Sequence, residues 1–150
     1  MKYMGENNLE LFFQFLNFNG HQMNPCSKNE IAKIMQLSKE KNLPQNYVKF
    51  MEQAGNGIDF FKGSSYTLDE ISKLKSWAIA LLKENDSNEN IDDNNFVFLM
   101  HQGYQFYFFN LNEGDNPPVY FYLEGDNLEM FIKKYESFSG FLIEYYNETY

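Results

Sequence analysis

Residues 96–124 read FVFLMHQGYQFYFFNLNEGDNPPVYFYLE, and this stretch most constrains what the chain can fold into. Three aromatic-rich runs, 96–100, 104–111 and 119–123, are broken by His-Gln-Gly and by a second segment ending in Pro117 and Pro118. Val, Tyr and Phe suit a pleated surface, whereas Gly, Asn, Asp and Pro punctuate it. The pattern predicts an antiparallel three-stranded meander. Gln102-Gly103 suits a two-residue hairpin, because Gly reaches positive φ without steric cost. Pro117 and Pro118 lack N–H donors and fit a turn and a strand start. Alternation puts Val119, Phe121 and Leu123 on one face and Tyr120 and Tyr122 on the other. Phe106 and Phe108 likewise oppose Tyr107, Phe109 and Leu111. One face is expected to be buried, and the other to be Tyr-rich and partly open.

At 150 residues the chain is read as one domain over 1–150, with 1–26 as an extension docking on the core. A chain this long buries roughly 70% of its unfolded surface and needs no staples. Cys26 is the one cysteine, which excludes an internal disulfide and fits a reducing compartment. The first residues lack the pattern of a secretory signal, and no run approaches the ~20 apolar residues of a membrane span. A soluble, cytoplasmic protein is expected. The net charge of -9 is uneven: residues 1–83 hold 8 acids and 10 lysines, residues 84–150 hold 13 acids and 2 lysines. There is no arginine. Phosphate neutralisation dominates nucleic-acid affinity, so this chain is a poor nucleic-acid binder and a better match for a basic protein.

Taken in order, 8–18 predicts a helix with Leu9, Phe12, Phe13 and Leu16 on one side. Ser27 and Glu30 have capping-box spacing ahead of a helix carrying Ile31, Ile34, Met35 and Ser38. Leu43-Pro44 opens the next, with Tyr47, Val48, Met51 and Ala54 inward and Gly55-Asn56-Gly57 at its end. A positive φ is expected at Gly55 or Gly57. Residues 58–61 read as a short strand. Thr67 and Glu70 repeat the capping-box spacing before a helix to about 83 or 84. Its inner stripe is Leu68, Ile71, Leu74, Ala78 and Leu81 or Leu82, with Trp77 as an anchor. A polar linker with five acids covers 84–95. After the meander, 127–135 reads as a short helix. Residues 137–146 read as the last one, capped by Ser137, with Phe138, Phe141, Leu142 and Tyr145 inward. Ile34, Tyr47, Met51, Trp77, Phe98, Phe106, Phe121 and Phe141 are the expected core. Helices, then an antiparallel sheet, then helices make an α+β fold.

Catalytic chemistry has no foothold in the motifs. The two imidazoles, His21 and His101, lie far apart and without paired cysteines, so no metal or other cofactor is expected. No G-x-x-x-x-G-K motif followed by Ser or Thr exists, and no G-x-S-x-G elbow. Carboxylates are abundant, but nothing singles out an acid–base pair.

Leu43-Pro44-Gln45-Asn46-Tyr47-Val48-Lys49-Phe50-Met51, followed by Gly55-Asn56-Gly57, resembles the LP-x-x-Y-x-x-F…G-x-G signature of the SUKH superfamily. His101-Gln102-Gly103-Tyr104, Pro118-Val119-Tyr120-Phe121-Tyr122 and Ser137-Phe138…Phe141-Leu142 resemble its carboxy-terminal half. The likeness runs from about Ser27 to the end. It implies a helix-packed antiparallel meander and a non-enzymatic, cytoplasmic role. For bacterial members the role implied is an immunity protein that binds and neutralises a cognate toxin domain. Fungal members imply the alternative, an intracellular scaffold related to cell-wall glucan-synthesis regulators. The candidate partner surface follows from the acids of the meander. Asp92 and Asp93 precede its first strand, Glu113 and Asp115 lie in its second turn, and Glu124 and Asp126 follow its last strand. Tyr104, Tyr120 and Tyr122 lie between them as anchors. A basic toxin domain, such as a nuclease, would be the fitting partner, with neither nucleic acid nor membrane involved.

Overall fold

A computed structural model describes residues 1–38, 41–125 and 130–150. The aromatic stretch forms β4 (Asn95–His101), β5 (Gln105–Asn110) and β6 (Val119–Leu123). Two short strands flank them, β3 (Ser64–Ser65) and β7 (Ile132–Tyr135), giving an antiparallel sheet of order β3-β4-β5-β6-β7. A second small sheet pairs β1 (Met23–Asn24) with β2 (Gly57–Ile58). The helices are α1 (Leu9–Phe18), α2 (Lys28–Met35), α3 (Gln45–Ala54), α4 (Leu68–Glu84) and α5 (Phe138–Thr149). The fold is α+β, as the order of elements predicts.

Both faces of the sheet are covered. Phe96, Phe98, Tyr107 and Phe109 meet α3 and α5: Tyr47 lies 5.3 Å from Phe96, and Phe141 lies 5.3 Å from Phe98 and 5.2 Å from Tyr107 between ring centres. A bulge leaves Phe98 as an extra residue between the Val97↔Phe108 and Leu99↔Tyr107 pairs. The opposite face carries Phe106, Phe108, Tyr120 and Tyr122. Helix α4 packs on β4, and Phe131 seats 4.7 Å from Phe108. This Tyr-rich face is more closed than alternation suggests, since Phe106, Phe108 and Tyr122 are buried and only Tyr120 is half-buried.

Several local expectations are corrected. The β4–β5 connection places Gln102 at φ 51 and Gly103 at φ 77, the double positive φ of a mirror-image turn. Register resumes at His101↔Gln105, however, so Tyr104 is a third loop residue. Of residues 58–61 only Ile58 is in a strand. After Gly57–Ile58 the chain turns into a 3-10 helix, Asp59–Phe61, which buries Phe60 and Phe61. Residues 132–135 are a strand and not the end of a helix, because β6 would otherwise present an unpaired edge to solvent. The expected start of that helix, 127–129, lies outside the described residues.

Among the helices, Ser27 and Glu30 form the full capping box, at 3.2 and 2.9 Å. Thr67 makes no side-chain cap, and Glu70 accepts from the Ser65 hydroxyl at 2.9 Å. Met35 is exposed and Ile31 only partly buried, and a 3-10 turn at Gln36–Ser38 follows α2. Val48 is partly buried, and the buried face of α3 is completed instead by Phe50. Tyr146, not Tyr145, is the fully buried tyrosine of α5. Trp77 is 39% exposed and is no core anchor. At 100° per residue it sits about 105° from the centre of the Ile71–Leu74–Ala78–Leu82 stripe, on the helix flank. The other seven expected core residues are buried.

The first residues lie against α5. The Tyr3 N–H donates to Asn147 Oδ1 at 2.7 Å, and the Tyr146 hydroxyl donates to the Met1 carbonyl at 2.6 Å. Phe12 packs edge-on to Tyr146 at 5.6 Å. Among the described residues no helix is long and apolar enough to cross a membrane.

Candidate functional site

The meander brings its acids to two ends, as its connectivity requires. At one end stand residues 92–95 and 110–115, joined by the Leu111 N–H donating to the Asn94 carbonyl at 2.7 Å. Here Asp92 closes a local turn, its carboxylate accepting the Asn94 N–H at 2.8 Å. Lys75 donates to the Asp92 carbonyl at 2.9 Å and lies 3.6 Å from the Asp93 carboxylate. Asp93 is 71% exposed, so this ion pair contributes little stability. Lys41 donates to Asn94 Oδ1, and to Asn112 Oδ1 at 2.9 Å. Two lysines therefore temper the acidity of this corner.

The connection from β5 to β6 fastens two helices. Helix α3 begins after Pro44, which has no side chain able to cap it. Asp115 supplies the missing acceptors: its carboxylate takes the Gln45 N–H at 3.3 Å and its carbonyl takes the Asn46 N–H at 3.0 Å. A carboxylate there also meets the positive end of the helix dipole. Asn116 bonds the Ser139 N–H at 2.9 Å, at the start of α5. Glu113 accepts the Tyr120 hydroxyl at 3.0 and 3.2 Å. Burial raises the Tyr120 pKa, and the Glu113 bond and charge, with Glu136, raise it further.

At the other end, Tyr104 is 37% exposed beside His101, whose Nδ1 lies 2.9 Å from the Ser64 hydroxyl. The Glu124 N–H donates to the Tyr104 carbonyl at 2.9 Å, and the Glu124 side chain is exposed. Tyr122 is 4% exposed, and its hydroxyl accepts from Asn85 Nδ2 at 2.9 Å. Tyr122 is thus a core residue. Asp126 lies outside the described residues. Of the nine candidates, Asp92, Asp93, Tyr104, Glu113 and Glu124 stand at the surface with Tyr120 half-buried, while Asp115 is tied to α3.

Among the described residues no group of three or more His, Cys, Asp and Glu could hold a metal. His21 bridges Asp59 at 2.9 Å and the Tyr146 hydroxyl at 3.1 Å, fastening the end of α1 to α5. Cys26 is buried, and burial, then the Glu30 charge, push its thiol up to about 11, which makes it a poor nucleophile at neutral pH.

Sequence reasoning missed the capping duty of Asp115, since no local pattern links it to a helix some seventy residues earlier. It also missed the exposure of Trp77, although the helical angle of that residue carried the signal.

No curated protein matches the chain. A family model described as SMI1-KNR4 cell-wall matches residues 29–142. That span takes in most of α2, all of α3, α4 and the five-stranded sheet, and the start of α5, and the chain therefore belongs to this SMI1-KNR4 family of the SUKH superfamily.

Proposed function

We propose that the chain is a non-enzymatic immunity protein, which binds a cognate toxin domain and neutralises it. Family membership carries this reading, because the superfamily includes toxin-immunity proteins. The acidic second half, 13 acids against 2 lysines over 84–150, supports it. A toxin that holds phosphate is basic at that surface, and an acidic inhibitor is steered to it and covers it. The steering residues in this proposal are Asp92, Asp93, Glu113 and Glu124, with Asp126 included by its place in the chain. Tyr104 and Tyr120 supply ring surface for contact.

The test is co-expression with the toxin domain encoded beside the gene, followed by size exclusion of the purified pair. Growth should be restored and a stable complex recovered, with an association rate that falls as salt rises. No protection and no complex at micromolar concentration would overturn the proposal. The cell-wall description of the matched family supports a second reading, an intracellular regulatory scaffold related to glucan-synthesis regulators. Its signature would be a wall defect on deletion, in cells that make no such toxin.

A further inference from the structure

We infer that a groove beside Trp77 receives a lysine or arginine side chain of a basic protein partner. This rests on the proposed function, that the chain acts by binding a protein. The groove, of about 430 Å³, lies between the second half of α4, the edge strand β3 and the β4–β5 turn. Trp77 forms one wall and Met100 lines it from the sheet, while Gln102 and Gly103 close the far side. Trp77 is 39% exposed, so much of the indole is open to a ligand. Tryptophan is the strongest cation–π ring and a preferred interface anchor.

The charges select the occupant. Glu84 lines the groove and no lysine among the described residues does, although Lys62, Lys73 and Lys83 lie near it in sequence. Glu84 makes no ion pair with a described residue. It is also the last residue of α4, where the helix dipole places partial negative charge. An indole face, a carboxylate with no ion-pair partner among the described residues and a helix carboxy-terminus converge on one space, and all three favour a cation.

Trp77 is the single tryptophan, so its fluorescence reports this groove alone. The probe is a Gly-Ser octapeptide with two central arginines, compared with its two-glutamine counterpart. The arginine peptide should shift the emission saturably and the glutamine peptide should not. Glu84→Gln should weaken binding about two- to fivefold, the range of an exposed cation–π or ion-pair contact. In calorimetry Trp77→Phe should keep binding and Trp77→Ala should lose it, with melting temperatures confirming the fold of each. Equal responses to both peptides, no saturable response, or an unchanged affinity in Glu84→Gln would overturn the inference. Toxin protection that survives in Trp77→Ala, with no arginine-peptide binding to the wild type, removes the groove and leaves the immunity reading intact. Peptide binding without toxin protection does the reverse.

Discussion

Replacing Asp115 with alanine should destabilise the protein through α3, a helix that begins some seventy residues earlier. Pro44 leaves the first turn of that helix without a cap of its own. Asp115 provides two acceptors, but only the carboxylate bond to the Gln45 N–H, at 3.3 Å, depends on the side chain. The carbonyl bond from the Asn46 N–H, at 3.0 Å, survives in the alanine variant. Loss of a cap costs about 0.5–2 kcal/mol, and one long bond on an exposed residue belongs in the lower half, about 1 kcal/mol. Unfolding entropy of about 2.1 cal/mol/K per residue turns that into a drop in Tm of about 3 °C for a chain of this size. Asparagine can accept the same bond and should recover most of the loss. Lysine should do worse than alanine, because it sets a cation at the positive end of the helix. Thermal melts of the three variants decide the matter. A Tm for Asp115→Ala within 1 °C of wild type would refute the capping role. Equal losses for asparagine and alanine would show that charge, not the hydrogen bond, matters there. A charge-reversal test of partner steering is therefore cleaner at Glu124 than at Asp115, whose reversal would disturb α3 as well.

Phe106 is fully buried, in ring contact with Phe108, Tyr122 and Phe131, so Phe106→Ala should cost roughly 3–5 kcal/mol in urea unfolding. Gly57 holds φ 146, and Gly57→Ala should cost on the order of 1 kcal/mol or more through backbone strain, read from the same unfolding curves. Gly55 has an ordinary φ of -66, yet Gly55→Ala should also destabilise, because its new Cβ meets Cys26 Sγ and lies 2.6 Å from the Met51 carbonyl. Adding Cys26→Ala should rescue it only in part. The Cys26 thiol titrates near 11 against an ordinary 9, so at pH 8 its thiolate fraction is about a hundredfold lower folded than unfolded. Iodoacetamide should react at least that much more slowly with native protein than with protein in urea. Because the raised pKa favours the neutral thiol, its contribution to stability is complete below pH 9 and is lost as pH rises from 9 towards 11.

Much of this architecture is legible in local pattern. Period-two alternation from Val119 to Leu123 grouped the residues of each face of β6, though not how closed the Tyr face is, and the spacing of Leu9, Phe12, Phe13 and Leu16 identified the buried side of α1. Side-chain periodicity reports which direction is buried, and removing apolar surface from water is the main driving force of folding. Ser27 and Ser137 were legible as caps because the N–H groups they accept from lie within the same turn.

What local pattern could not supply was set by partners distant in sequence. Residues 132–135 form a strand because β6 offers an open ladder, a demand that Ile-Lys-Lys-Tyr does not express by itself. Thr67 has the residues of a capping box, yet Glu70 bonds Ser65 instead. Asp115 and Glu113 look like free turn acids in sequence, whereas in the fold one caps α3 and the other holds Tyr120. The sequence by itself determined the fold class, the sheet core and the uneven charge. Only the tertiary structure decided which acids and rings face solvent, because exposure depends on which segments pack together and not on the residue alone.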